Sequence, residues 1–98
     1  MEQQRIGRVL DQMEARGLRQ MIVSAPAGIR YLTGVSIHPG ERLFALYLSR
    51  TGCKLILNRL FVVPSTGLEE VWVGDTDDQI APLAAVVDPS QPLGVDKD

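Results

Sequence analysis

The most constraining feature of the sequence is an uninterrupted apolar run, LFALYL, from Leu43 to Leu48 between Arg42 and Ser49. A strand made of such a run has no polar face, so it needs cover on both sides of its sheet. The run therefore predicts a central strand over 42–49. The residues SRTG at 49–52 predict a turn, and 53–57 predicts an antiparallel partner strand.

Two helical segments precede this strand. Apolar residues at a spacing of three and four predict an amphipathic helix from Glu2 to Arg16. A short apolar strand follows at Met21–Val23. Ser24 is then a candidate N-cap for a second helix from Ala27 to Thr33, and Gly34 suits the left-handed position that ends helices.

Weaker signals follow the hairpin. The sequence of segment 58–63 is compatible with either a helical turn or a strand. Val71–Val73 predicts a strand, 78–87 predicts a helix, and Leu93–Val95 predicts the opening of one more strand. Because that last strand has little room before Asp98, we expect residues 1–98 to be a single, C-terminally truncated domain of a longer parent.

Composition excludes several classes of protein. Ten basic and twelve acidic residues give a net charge of −2, without the basic excess typical of nucleic-acid binders. The N-terminus is too polar for a signal peptide, and no apolar run reaches the roughly 18 residues of a membrane span. We therefore expect a cytoplasmic protein. Nine basic residues lie in 1–59 and eight acidic ones in 69–98, which suits either a two-fold interface or a solvated acidic edge.

The segment from Gly74 to Asp78 (GDTDD) is the first candidate site. It resembles the acidic metal-binding motif of haloacid-dehalogenase-type phosphatases. Those enzymes also need an earlier Asp-x-Asp-x-Thr nucleophile strand, which this sequence lacks. Capping of the helix at 78–87 by Asp75 or Asp77 is the favoured interpretation.

The second candidate is the loop from Gly34 to Arg42, which holds His38, the single histidine of the chain. No nucleophile, base and orienting group can be assembled around it, and His38 with Glu41 alone would make a poor metal site. An imidazole, a carboxylate and a guanidinium on a Pro-Gly turn suit ligand recognition, although an ordinary polar connector is equally compatible with these residues. The chain thus has no self-sufficient active site.

The residues IRYLTG at 29–34, with the helix and strand before them and the hairpin after them, form a recognisable pattern. With LGVD at 93–96, they resemble the N-terminal domain of the creatinase, prolidase and aminopeptidase P family of "pita-bread" metallopeptidases. The pattern is most similar to an Xaa-Pro dipeptidase, with aminopeptidase P second. The resemblance implies an α/β fold, a mixed-sheet α/β sandwich with a ribonuclease-H-like layout.

The resemblance also implies a function for the parent protein. Catalysis there belongs to a C-terminal domain in which two divalent ions, usually manganese, cobalt or zinc, activate water to attack the bond before proline. This chain would hold no cofactor and would serve dimerisation and substrate access. Its implied partners are its own catalytic domain, a second copy and proline-containing peptides. The loop residues implied to meet the substrate are His38, Glu41 and Arg42. The alternative is a free-standing α/β interaction or ligand-binding module without catalysis.

Overall fold

A computed structural model of the chain describes residues 3–63 and 66–96. These residues form three helices and five strands, numbered in chain order. The elements are α1 Gln3–Ala15, β1 Gln20–Val23, α2 Pro26–Thr33, β2 Ala45–Ser49, β3 Lys54–Asn58, β4 Glu69–Val73, α3 Ala81–Val86 and β5 Leu93–Val95.

The strands form one mixed sheet in the order β4-β3-β2-β1-β5. Strand β2 is antiparallel to both of its neighbours, whereas β3 is parallel to β4 and β1 is parallel to β5. The other four strands therefore run against β2 and end at the same side of the sheet, where β2 begins. We call this side the carboxyl edge.

Helices cover both faces of the sheet. One face packs against α1 and α2, and the apolar core there includes Ile6, Met13, Ile29, Leu32, Leu46, Leu48, Leu55 and Leu57. On the other face, α3 places Leu83 and Val86 against Ala45, Ile56 and Val73. Every residue of β2 is buried, as expected for the central strand. The mixed-sheet α/β sandwich expected from the resemblance is thus confirmed.

Three segments show the largest departures from the sequence predictions. Strand β2 begins at Ala45 rather than Arg42, because the preceding residues close a turn in which the Arg42 amide donates to the Pro39 carbonyl at 3.0 Å. In the ambiguous 58–63 segment, Asn58 ends β3, and residues 59–63 form a turn and an irregular stretch. Helix α3 begins only at Ala81, with Pro82 in its first turn.

The N-cap residue of helix α2 is Ala25, and no side chain among the described residues makes a capping hydrogen bond to the first turn of the helix. The carboxylate of Asp96, just after β5, accepts hydrogen bonds from the Ser24 and Ala25 amides, both at 2.8 Å, and from the Ser24 hydroxyl at 3.2 Å. Ser24 is therefore a donor here, and the prediction that it caps α2 was wrong. Gly34 ends the helix as predicted, with φ +79° and its amide donating to the Arg30 carbonyl. Among the described helices, none has the length and apolarity to cross a membrane.

Candidate functional site at the carboxyl edge

The loop from Gly34 to Phe44 connects α2 to β2 and is anchored at both ends by buried apolar side chains. Val35 and Phe44 are each only 4% exposed. The Phe44 ring packs edge-on against Phe61, with the ring centroids 5.8 Å apart. Fixed ends of this kind leave the middle of the loop to face solvent while its position on the sheet stays defined.

The middle of the loop carries the three predicted site residues, and all three are exposed. The turn that presents them has Gly40 at φ +61°, a conformation that glycine adopts without steric penalty. Within residues 3–63 and 66–96, no hydrogen bond or ion pair joins His38, Glu41 and Arg42 to one another. They share one exposed turn without forming a catalytic constellation.

The Arg42 side chain forms an ion pair with Asp75, which lies just after the end of β4. Its Nε donates to Oδ1 of Asp75 and its Nη2 donates to Oδ2, both at 3.1 Å. The Nδ2 of Asn58 donates to the same Oδ1 at 2.7 Å. Asn58 is only 1% exposed, and its own Oδ1 accepts from the Leu60 amide at 2.9 Å. We call Arg42, Asp75 and Asn58 the Arg42 cluster.

The electrostatics of this cluster favour the charged carboxylate. Hydrogen bonding from the Arg42 guanidinium, and then from the Asn58 amide, holds the pKa of Asp75 below its ordinary value. Asp75 is therefore ionised at neutral pH. The pair is a bidentate one, the geometry for which guanidinium and carboxylate are matched.

Sequence reasoning identified Arg42 but missed its partner Asp75, and it missed Asn58, which donates to Asp75. The missing information was the parallel pairing of β3 with β4, which sets Asn58 opposite Val73 and brings the ends of both strands together. The Arg59 amide also donates to the Val73 carbonyl at 2.9 Å, just beyond that pair. The signal available in the sequence was that Asn58 and Asp75 lie at or just after the ends of two apolar segments.

The acidic segment Gly74–Asp78 serves local structure. Asp77 Oδ2 accepts from the Gly74 amide at 2.8 Å, and Asp78 Oδ1 accepts from the amides of Ile80 and Ala81 at 2.9 and 3.3 Å. The prediction that Asp75 or Asp77 caps α3 was wrong, because Asp78 receives the amides at that helix start. Across the described ranges, no three His, Cys, Asp or Glu side chains converge as a metal site would require. These residues do not fit the pair of divalent ions that the resemblance implies for the parent.

A cavity of about 710 Å³ lies at the opposite side of the sheet, next to α1 and β1. Several of its polar lining residues are paired with one another or with neighbouring residues. The Tyr47 hydroxyl donates to Gln20 Oε1 at 3.0 Å, and Arg50 pairs with Asp11 and Glu14. Because these groups already bond to one another, the cavity has fewer polar groups available to bind a ligand than the loop has. Ligands of open α/β sheets also bind beyond the carboxyl ends of the strands, which favours the carboxyl edge.

The fold and the carboxyl edge define an α/β domain that exposes His38, Glu41 and Arg42 on one loop. The family model described as Creatinase/Prolidase N-terminal domain matches residues 5–98, nearly the whole chain. The chain therefore belongs to the creatinase/prolidase N-terminal domain family. A comparison with curated protein sequences finds no match.

Solved structures share the fold. The N-terminal domain of an Xaa-Pro dipeptidase from Lactobacillus brevis superposes with a TM-score of 0.81 at 20% identity, covering 93% of this chain and 75% of that one. A prolidase from Thermococcus sibiricus gives 0.80 at 22% identity, covering 98% of this chain and 28% of that one. A proline dipeptidase from Streptococcus pneumoniae gives 0.76 at 23% identity, covering 85% and 64%. This chain thus spans just under two thirds of the pneumococcal protein and about a quarter of the Thermococcus one.

Proposed function

We propose that this chain is the N-terminal, non-catalytic domain of a proline-specific metallopeptidase, where it serves dimerisation and substrate access. The parent would hydrolyse the bond before proline as an Xaa-Pro dipeptidase, with aminopeptidase P as the second choice. The observation that carries the proposal is the loop Gly34–Phe44, anchored at both ends and exposing His38, Glu41 and Arg42 on a family-matched fold.

The names of the structural neighbours support the choice of reaction. The Streptococcus pneumoniae protein is named a proline dipeptidase and the Lactobacillus brevis one an Xaa-Pro dipeptidase. Both names describe the release of a residue from proline in a dipeptide. The proposed substrates of the parent are accordingly short proline-containing peptides.

The loop chemistry suits the ends of such a peptide. A dipeptide carries an ammonium and a carboxylate close together, and both need a partner of opposite charge. Glu41 supplies a carboxylate for the ammonium, and Arg42 supplies a guanidinium for the terminal carboxylate. His38 adds a ring that donates or accepts a hydrogen bond. Side chains of this kind would limit the length of peptide that approaches the catalytic domain.

The two divalent ions would belong to the catalytic domain of the parent, since the described residues of this chain do not suit them. When bound there, manganese, cobalt or zinc would supply an activated water for attack on the peptide bond. This chain contributes binding and orientation. Its proposed partners are that catalytic domain and a second copy of the protein, in the cytoplasm.

Steady-state kinetics of the complete gene product test the access role. We expect His38→Ala and Glu41→Ala to change the ratio of kcat/KM for Ala-Pro to that for a longer Xaa-Pro peptide. Gln12→Ala, an exposed change on α1, serves as the control and should leave the ratio unaltered. Unchanged ratios in both loop variants would show that the loop is only a connector.

A further inference from the structure

The ion pair of Arg42 uses only one side of its guanidinium group. Asp75 accepts from Nε and Nη2, which together form the side edge of the fork. The other edge consists of Nη1 and the second hydrogen of Nη2. Within the described residues, Nη1 makes no hydrogen bond, and the Arg42 side chain remains 45% exposed. The guanidinium therefore keeps a second two-pronged donor edge, the arrangement that binds a carboxylate in bidentate fashion.

Asp75 is itself fixed from the sheet. The buried amide of Asn58, the last residue of β3, donates to Oδ1 of Asp75 at 2.7 Å and is in turn oriented by the Leu60 amide. Asp75 follows β4 by two residues, so two hydrogen-bonded strands determine where its carboxylate lies. A freely moving surface arginine loses side-chain entropy when it binds an anion, and prior fixation lowers that loss.

We propose that Asp75, oriented by Asn58, is a positioning residue that holds the Nε–Nη2 edge of Arg42 so that the Nη1–Nη2 edge receives the terminal carboxylate of a peptide. This inference rests on the proposed function, because it assigns the carboxylate to a peptide on the Gly34–Phe44 loop. It assigns to Asp75 a role that the sequence segment Gly74–Asp78 did not suggest. Arg42 then contacts two carboxylates at once, one internal and one from the ligand.

The first experiment follows the Nε–Hε NMR signal of Arg42 in this chain. In the wild type we expect a signal shifted away from the position of a free arginine and exchanging slowly with water. Asp75→Ala should abolish both properties. Glu69→Ala is the matched control, because it removes another exposed carboxylate, one paired with Lys54 at 3.2 Å, from the same strand region. The control should leave the Arg42 signal unchanged.

The second experiment titrates the complete gene product and the same variants of it, stripped of divalent ions, with Ala-Pro and with Ala-Pro amide, which lacks the carboxylate. We expect the Arg42 signal of the wild type to shift with Ala-Pro and not with the amide. In Asp75→Ala the binding of Ala-Pro should be about two- to fivefold weaker, the range that an exposed ion pair supports. Arg42→Lys keeps the charge but lacks the planar fork, and it should lose the preference for Ala-Pro over the amide.

Each contrary result overturns a stated part of the inference. An unchanged Arg42 signal in Asp75→Ala would contradict the positioning role, whatever the loop binds. A released Arg42 with unaltered Ala-Pro affinity would show that positioning does not assist binding. If the Arg42 signal of the wild type does not respond to Ala-Pro, Arg42 does not bind the terminal carboxylate of the peptide. The kinetics of His38→Ala and Glu41→Ala would still decide the role of the loop separately.

Discussion

At the scale of single residues, two glycines in helical contexts have opposite backbone requirements. Gly34 adopts φ +79° at the end of α2, whereas Gly7 lies inside α1. A Cβ at either position would meet no atom within 4 Å, so the backbone alone decides the outcome. We predict that Gly34→Ala destabilises the fold by about 1 kcal/mol, because alanine is strained in the left-handed region.

Gly7→Ala is the matched control for that change. It should stabilise the fold by about 0.5–1 kcal/mol, since alanine loses less backbone entropy in a helix. Urea unfolding of both variants gives the two free energies. Equal effects of the same sign would contradict the backbone conformations described here.

Gln20 is a second residue-scale feature that carries a prediction. It is 1% exposed, and its amide group makes four hydrogen bonds: its Oε1 accepts from the Tyr47 hydroxyl and the Asp88 amide, and its Nε2 donates to the Asp88 and Gln91 carbonyls. Gln20→Ala should lower the free energy of unfolding by about 2 kcal/mol, because it leaves the buried hydrogen-bond partners of the Gln20 amide unsatisfied. The exposed Gln12→Ala should stay within about 0.5 kcal/mol of the wild type.

The sequence predicted residues better than it predicted their partners. Tyr31 shows the difference: it is an aromatic residue of a short apolar helix, yet it is 52% exposed. Arg5 of α1 lies 4.3 Å from the centre of its ring and donates to the Tyr31 carbonyl at 2.9 Å. A cation on one helix that covers an aromatic ring on another depends on the packing of α1 against α2. No local pattern near Tyr31 contains that information.

At the scale of elements, the carboxylate of Asp96 links the end of β5 to the start of α2. We predict that Asp96→Ala costs about 1 kcal/mol of stability, because it removes the acceptor of the Ser24 and Ala25 amides. Partial burial raises the pKa of Asp96, but hydrogen bonds from the Ser24 and Ala25 amides outweigh it, so the pKa lies below its ordinary value. The contribution of the charged form is therefore complete above the unfolded pKa, about 4, and is lost as pH falls through the folded pKa.

Urea unfolding of the wild type and Asp96→Asn across pH checks this linkage. The stability difference should be largest near neutral pH and should shrink in strongly acidic solution. A difference that stays constant down to the acid limit would mean that the ionised carboxylate does not stabilise the fold through the Ser24 and Ala25 amides. Asp78→Asn, which alters the start of α3 instead, should leave the NMR signals of the Ser24 and Ala25 amides unchanged.

Elements with strong local patterns were predicted well, and those that depend on distant contacts were not. The amphipathic α1 and the β2–β3 hairpin follow from periodicity and turn chemistry. The parallel pairing of β3 with β4 joins segments separated by an irregular connection, so periodicity gave no sign of it. The late start of α3 at Ala81 reflects Asp78, which satisfies the first amides from outside the helix.

At the scale of the whole molecule, the uneven charge has a partly internal explanation. The basic residues of 1–59 and the acidic residues of 69–98 suit either a two-fold interface or a solvated acidic edge. The ion pairs Arg42–Asp75 and Lys54–Glu69 join these two parts within one chain. Charge segregation along a sequence therefore does not by itself indicate an intermolecular surface.

The two outer strands differ in their protection against pairing with another chain. Strand β4 carries Glu69 and Glu70, whereas β5 has no charged residue, and Val95 on it is 65% exposed. Charged residues on an edge strand oppose edge-to-edge association. We predict that the chain self-associates through β5 at high concentration, as seen by light scattering.

Val95→Lys should shift this association toward monomer. Val62→Lys provides the control, because Val62 is 96% exposed but lies outside the sheet. A wild-type chain that stays strictly monomeric at high concentration would contradict the prediction. Equal effects of the two lysines would indicate general charge repulsion instead of edge pairing.

The most direct test of the account is the hydrolysis of Ala-Pro by the complete product of the gene that encodes this chain. The protein would be stripped of divalent ions and then supplied with manganese, cobalt or zinc in turn. The proposed metallopeptidase function predicts release of free proline that requires one of these ions. A complete gene product that leaves Ala-Pro and longer Xaa-Pro peptides intact with every ion would contradict it. A free-standing α/β interaction or ligand-binding module would then be the better description.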